Sequence, residues 1–177
     1  MNRRTFLACL IGVLDGLIAL ALLVPGLRAV FSTPRRRKDE VDFIRVAPLD
    51  VLKEGEPHLA VVEGERWDAY VRYPPSPMGR VWLIREPDSG GEPKVRCLHT
   101  ICPHLGCGIN FVQERQAFAC PCHASEFDAG GKSRFGPSPR NMDELECRLS
   151  DPDESGKRFV EVRYREFQTG VPDQREV

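Results

Sequence analysis

"CPHLGC", residues 102–107, and "CPCHAS", residues 120–125, hold four of the chain's seven cysteines and two of its four histidines. One cysteine and one histidine from each segment make a four-ligand set: Cys102-x-His104, then fifteen residues, then Cys120-x-x-His123. Two thiolates and two imidazoles suit tetrahedral zinc. They also suit a two-iron cluster in which one iron takes two Cys and the other two His. Zinc knuckles usually space their paired ligands about two to four residues apart, and Cys102-x-His104 is tighter. Each half also carries one soft and one imidazole ligand, as two chemically distinct irons require. Cys107 and Cys122 are left over. If the two segments face each other around a metal centre, these thiols come together as a disulfide, which requires an oxidising compartment.

The residues around these segments read as short strands. "DFIRVAPL", "HLAVVEG", "WDAYVRY", "RVWLIRE", "KVRCLHT", "RQAFACP", "LECRLS" and "RFVEVRYREF" are each β-like runs. "HLAVVEG" and "WDAYVRY" are expected to pair around a turn at Gly64, and "PPSPMG" to break the chain. "PDSGGEP" and "DPDESG" are turn clusters. Fifteen glycines and fifteen prolines favour a loop-rich β protein. The fold class expected is all-β, an antiparallel sandwich or barrel. Trp67, Tyr70, Trp82 and Phe159 are expected to be packing residues. A net charge of −1, with arginines scattered among acidic neighbours, gives no electrostatic footprint for nucleic acid.

The N-terminus is of another kind. From Phe6 to Val24, nineteen residues carry a single charge, Asp15. At about 1.5 Å per residue the stretch reaches roughly 28 Å, close to the hydrocarbon thickness of a bilayer. "LLVPGLRAVF" offers no A-x-A site, so residues 1–31 are expected to be an uncleaved single-pass anchor. "NRRTFL" resembles a twin-arginine export signal, R-R-x-F-L, which carries folded, cofactor-loaded proteins across a bacterial inner membrane. Arg28, Arg35, Arg36, Arg37 and Lys38 outnumber Arg3 and Arg4, so counting basic residues alone puts the C-terminal part in the cytoplasm. A folded-export signal overrides that count and puts it on the periplasmic side. Asp15 in mid-span costs roughly 3 kcal/mol when unaccompanied, which points to a partner group on a neighbouring helix. "STPRRRKDEV" reads as linker, making residues 32–42 a hinge and 43–177 the exported domain.

C-P-H-L-G-C and C-P-C-H-A-S resemble the two cluster-binding loops of Rieske [2Fe-2S] proteins, C-T-H-L-G-C and C-P-C-H-G-S. They are closest to the disulfide-bearing kind found in bacterial cytochrome bc-type quinol–cytochrome c oxidoreductases. "SEFDAGGKSRFGPSP" continues the match, with Gly131, Gly136, Pro137 and Pro139 in the places of the family's cluster-covering proline loop. The likeness spans residues 95–140 and is weak over 43–94. Pro103 and Ala124 depart from the family's Thr and Gly. A positive φ at residue 124 would strain its methyl group.

The resemblance implies a Rieske-type β sandwich with an inserted cluster-binding subdomain, about 95–142. It implies a [2Fe-2S] cluster on Cys102, His104, Cys120 and His123, a Cys107–Cys122 disulfide, and a Ser125 hydroxyl directed at the cluster. It further implies that His104 and His123 sit at an exposed tip where one of them meets membrane quinol. The chain would then be the electron-transfer subunit of a quinol–cytochrome c reductase, working with a cytochrome b-type subunit and a c-type cytochrome. High-potential members carry a Tyr two residues after the Ser; Phe127 stands there and points to menaquinol. The alternative is the small Rieske subunit of an exported molybdenum oxidase of the arsenite oxidase kind, against which the G-P-S-P loop and the anchor argue. A soluble Rieske ferredoxin would lack Cys107, Cys122, the proline loop and the anchor. A zinc-stapled interaction module is the non-redox reading. Cys97 and Cys147 read either as buried small residues or as a second disulfide. Cys9 reads as inert in the anchor, His58 as a loop residue, and His99 as surface or core.

Overall fold

Val81, Trp82, Leu83 and Ile84 are four consecutive buried residues, Val81 and Leu83 in one core and Trp82 and Ile84 in another. A strand sends successive side chains to opposite faces, so this strand is covered on both sides. That arrangement joins a base to the part of the molecule carrying the cysteine and histidine loops. The computed structural model describes residues 2–31, 43–65, 67–68, 71–87 and 90–177. The hinge proposed at 32–42, Tyr70 and the side chain of Trp67 lie outside the described residues.

The chain forms two compact units, Met1–Glu40 and Val41–Val177. The first holds α1 (Arg3–Phe31), of which Arg3–Arg28 is long and apolar enough to cross a membrane. The second holds β1 (Ile44–Pro48), β2 (His58–Gly64), β3 (Trp67–Asp68), β4 (Val71–Arg72), β5 (Ser76–Arg85), β6 (Val95–His99), β7 (Asn110–Val112), β8 (Ala117–Ala119), β9 (Glu126–Asp128), β10 (Ser133–Phe135), β11 (Glu144–Leu145), β12 (Cys147–Leu149) and β13 (Phe159–Val162). Every pairing between these strands is antiparallel, as an all-β sandwich requires.

Two sheets make the base, one ordered β11-β6-β5-β2 and one β1-β13-β12. Between them lie Ala60 and Val62 of β2, Val81 and Leu83 of β5, Cys97 of β6, and Val160 and Val162 of β13. Burying a Val or Leu fully contributes about 1.5–3 kcal/mol each relative to exposure, so this layer dominates the base. The opposite face of β5 and β6 presents Trp82, Ile84 and Leu98 to a third sheet, β10-β9-β8-β7. There they meet Phe118, Phe127, Ile109, Cys102 and Cys120. Trp82 is packing as expected: its indole N–H donates to the Ile109 carbonyl at 3.2 Å, and its ring lies 5.4 Å from Phe118. Phe159 packs under the Arg45 guanidinium at 4.6 Å.

Several strand expectations change. β2 pairs with β5, from His58↔Leu83 to Gly64↔Ser76, and not with residues 67–73. Trp67 and Asp68 pair instead with Arg72 and Val71, β3 with β4. Packing decides this, because Ala60 and Val62 of β2 and Val81 and Leu83 of β5 all lie in the base core. Gly64 therefore ends a ladder and is not a turn. "PPSPMG" breaks the chain only at its first prolines, since β5 begins at Ser76. Pro77 is tolerated because β6 pairs only with Val81–Arg85, leaving that side of β5 open, and because a register shift occurs opposite it at Val62/Glu63. "LECRLS" is two strands: β11 pairs with β6, and β12 with β13. The chain changes sheets at Glu146, whose carbonyl accepts from the Arg163 N–H at 2.9 Å. His58 begins a strand instead of lying in a loop. "DPDESG" turns as expected, with the Asp153 carboxylate accepting from the Ser155 and Lys157 N–H groups at 2.9 Å.

Candidate metal centre

The first loop leaves β6 at His99. The Thr100 hydroxyl donates to the Arg80 carbonyl at 2.9 Å and fixes its root to β5. The loop then closes on itself: the Cys102 N–H donates to the Cys107 carbonyl at 2.8 Å, and the Gly106 N–H to the Cys102 carbonyl at 3.0 Å. Gly106 has φ +81°, which only glycine adopts without strain. The second loop joins β8 to β9 and is closed by the Cys120 N–H donating to the Ser125 carbonyl at 2.9 Å.

A third segment, following β10, covers the second loop. Gly136 has φ +102°, and a Cβ on it would stand 2.5 Å from Ser125 Cα and 2.8 Å from the Ala124 carbonyl oxygen. Glycine is needed there both for the backbone angle and for the close approach.

The two loops face each other. Cys107 and Cys122 form a disulfide, with Cα atoms 6.5 Å apart. The Cys120 sulfur lies within 4.8 Å of both disulfide sulfurs, so the staple abuts a candidate ligand. Cys102 is fully buried and Cys120 is 3% exposed. The His104 and His123 rings stand edge to face, with centroids 4.8 Å apart. His104 is half-buried, while His123, and Leu105 next to His104, are exposed, so imidazoles mark the surface and thiols the interior. All four candidate ligands are thus brought to one place.

Two buried polar atoms test whether the set fits a metal–sulfur group. The His104 Nδ1 is buried and has no hydrogen-bond partner among the described residues. The Ser125 hydroxyl, in a residue 1% exposed, lies beside the Cys102 thiol and otherwise finds no partner. Leaving such atoms unsatisfied costs about 1–3 kcal/mol each. A ligand bond at Nδ1 and a sulfur acceptor at Ser125 would remove both costs. Burial holds the Cys102 thiol above its usual range. The His104 backbone and Ser125 counter that rise, and the adjacent Cys120 adds to it. A cation is what would make such buried thiols thiolates. The residues present therefore fit a [2Fe-2S] group.

Ala124 has φ +57°, the left-handed conformation in which a methyl group is strained. Ala124→Gly is expected to raise stability by about 1 kcal/mol, read as an upward shift in thermal unfolding. An unchanged or lowered midpoint would show that the loop carries no strain there.

The remaining cysteines and histidines are resolved. Cys97 is fully buried and free, and burial pushes its thiol well above the usual range. Cys147 is also free; its thiol donates to the Val95 carbonyl at 3.0 Å, and burial raises it to about 11. The second disulfide is not formed. Cys9 is exposed on α1. His99 is core, 3% exposed, and burial lowers its pKa, in keeping with a neutral ring whose Nδ1 accepts from the Ile101 N–H at 3.0 Å. The motifs gave no sign of Arg140 and Asp143. These form a buried ion pair at 2.8 Å, and only their three-residue spacing hinted at it.

Residues 42–147 match the family model described as the Rieske [2Fe-2S] domain. The chain is 25% identical over 155 residues to the menaquinol:cytochrome c reductase iron-sulfur subunit of Bacillus subtilis, covering 85% of this chain and 88% of that one. It is 22% identical over 148 residues to the cytochrome b6-f complex iron-sulfur subunit of Chlorobaculum thiosulfatiphilum, covering 84% and 71%. The match to the chloroplastic b6-f subunit of Chlamydomonas reinhardtii is 37% identical over 75 residues and spans 35% of that protein. Among solved structures, the Rieske protein PetC3 of Synechocystis PCC 6803 is similar at 25% identity and a TM-score of 0.43, over 66% of this chain and 97% of that one.

Proposed function

Because the chain belongs to the Rieske [2Fe-2S] domain family, we propose that it is the membrane-anchored electron-transfer subunit of a quinol–cytochrome c reductase. It takes one electron from quinol and passes it to a c-type haem. The observation that carries this reading is the stapled pair of loops with buried thiols inside and imidazoles at the surface. Cys102 and Cys120 would hold one iron, and His104 and His123 the other. A [2Fe-2S] cluster bound there supplies one-electron redox chemistry.

The chain's own residues supply the rest. His104 would bond through Nδ1, the buried orphan, leaving Nε2 to hold or release a proton. His123, exposed, does the same beside it. Once its Nε2 proton has been released to solvent, either imidazole could accept a hydrogen bond from a quinol hydroxyl there and take its proton. Leu105 stands exposed next to His104 and gives the tip an apolar surface. The buried Cys102 and Cys120 keep water from the interior side.

Residues 1–31 are the twin-arginine signal and anchor, 32–42 the hinge, and 43–177 the Rieske domain. On this reading the chain is anchored in a bacterial inner membrane, with the domain on the periplasmic side; an N-terminal helix long and apolar enough to cross a membrane supports the anchor. A disulfide between the loops supports an oxidising compartment. Asp15 meets a group on a neighbouring helix of the membrane complex. Co-purification of the native membrane protein with a b-type cytochrome is the expected result. A molybdenum-bearing large subunit in its place would overturn the reading in favour of the oxidase alternative.

Menaquinol is the favoured donor. Hydrogen bonds to the cluster's sulfurs stabilise its reduced state and raise its potential. Ser125 provides one such hydroxyl, while Phe127, fully buried in the same core as Cys102 and Cys120, provides none. The potential is therefore expected below the top of the Rieske range of about −150 to +300 mV. Phe127→Tyr is expected to raise it by about 60 mV, the one-electron equivalent of a bond of roughly 1.4 kcal/mol. Redox titration near neutral pH reads both. A wild-type midpoint near the top of that range, or no upward shift in the variant, removes the basis for menaquinol.

A further inference from the structure

The segment after β13 runs back from the base to the first ligand loop, and one arginine fastens it. The Arg140 guanidinium forms a two-pronged ion pair with Asp143, both bonds 2.8 Å, with the two side chains 8% and 6% exposed. Its remaining N–H groups donate to the Gln168 carbonyl at 2.9 Å and to the Val171 carbonyl. Between those two residues, the Gly170 N–H donates to the Pro103 carbonyl at 2.8 Å. Pro103 stands between Cys102 and His104. Gly170 has φ +75°, and a Cβ on it would be 3.7 Å from the His104 carbonyl oxygen, so the segment runs alongside the histidine's own backbone.

The other end is tied down as well. The His99 ring packs on Tyr164 at 5.3 Å and on Phe167 at 6.1 Å. The His99 N–H donates to the Asp143 carbonyl at 2.8 Å, and its Nδ1 accepts from Ile101. The segment's tail folds back on it, with the Gln168 N–H donating to the Arg175 carbonyl at 2.8 Å. A closed circuit results: β6, Asp143, Arg140, residues 168–171, Pro103 and back to β6. The β6 root of the first loop, at His99, and the residue between Cys102 and His104 are both in it.

We propose that residues 164–171, fastened by Arg140, form a clamp that sets the position of His104, with Arg140 as the positioning residue. An arginine suits this place because a planar fork can meet a carboxylate and two carbonyls at once, and lysine cannot. The clamp's direct hydrogen bond ends on Pro103, next to His104, whereas the second loop meets the circuit only indirectly, through the core around Leu98 and the Cys107–Cys122 bond. Two imidazoles in unlike settings result: His104 braced through its backbone, and His123 exposed and outside the circuit.

The inference rests on the ligand assignment proposed above. The test uses full-length protein carrying Arg140→Gln, Arg140→Lys or Asp143→Asn. Hydrogen exchange is followed at the Gly170, Gly106 and Val160 amides, and the reduced protein is examined by electron paramagnetic resonance. In Arg140→Gln, exchange at Gly170 is expected to be at least ~10-fold faster, equivalent to about 1.4 kcal/mol. Gly106 follows in the same direction, Val160 in the base is unchanged, and the g-values move from those of the parent. Arg140→Lys does not restore them, and Asp143→Asn is intermediate. If Arg140→Gln does not accumulate, the other two variants carry the same comparison. Parental g-values together with faster Gly170 exchange, or uniform acceleration that includes Val160, would overturn the clamp. A parent with no Rieske signal at all would instead overturn the ligand assignment.

Discussion

Replacing Cys102 or Cys120 by Ser, or His104 or His123 by Ala, is expected to abolish the cluster while leaving the base folded. On the proposed ligand assignment, each change removes one of two protein ligands from one iron, and the loops offer no ready substitute. Cys107 and Cys122 are consumed in the disulfide. The two nearest remaining thiols in the chain order, Cys97 and Cys147, belong to the base, Cys97 within its core and Cys147 packed against it. The base should survive because its core, Val62, Val81, Leu83, Val160 and Val162 among others, contains none of the four ligands. The two thiols carry more risk to the local fold, since both belong to the second core with Trp82, Phe118 and Phe127. The histidines lie toward the surface, so their loss should be almost purely chemical. Iron content, visible absorbance and paramagnetic resonance of the reduced protein read the cluster, while circular dichroism reads the base. A variant at any of the four positions that retained full signal would sink the assignment.

The sequence announced this centre because its information is local. A ligand at residue 102 and one at residue 104 are held by one short loop, and the spacing of Cys120 and His123 says the same of the other. The positive φ anticipated at Ala124 was legible for the same reason: a loop conformation belongs to a few neighbouring residues. Strand pairing is different. Which of two β-like runs joins β2 depends on what each buries, and β5 wins because Val81 and Leu83 complete the base core. "LECRLS" looked like one strand because its composition is continuous, yet tertiary packing splits it between two sheets. The apolar run from Val81 to Ile84 carried a hint that was easy to miss: a strand buried on both faces does not alternate. Arg140 was invisible for a stronger reason. Its partners beyond Asp143 are backbone carbonyls about thirty residues away, and a carbonyl has no sequence signature.

Removing the Cys107–Cys122 bond, by the double change to Ser, is expected to lower stability by about 3 kcal/mol, the chain-entropy value for closing a loop of this length. The separation is fifteen residues. For a domain of this size the loss corresponds to a fall of roughly 10 °C in the unfolding midpoint. The cost should fall on the site more than on the base. The bond joins the two ligand loops covalently, whereas the backbone hydrogen bonds from Cys102 and Cys120 close each loop only on itself. Without the bond, the loops still hold all four ligands, so the cluster should assemble but be lost faster on dilution or mild heating. The Cys120 sulfur, within 4.8 Å of both staple sulfurs, should respond first, because its nearest covalent brace is gone. Alkylation of the unfolded parent under non-reducing conditions supplies the control. Once the cluster is removed, five thiols should label, namely Cys9, Cys97, Cys102, Cys120 and Cys147. Seven labelled thiols in protein that had been folded and cluster-loaded would show that no staple exists. A double variant with parental midpoint and parental cluster lifetime would show that the staple, though present, does not hold the loops together.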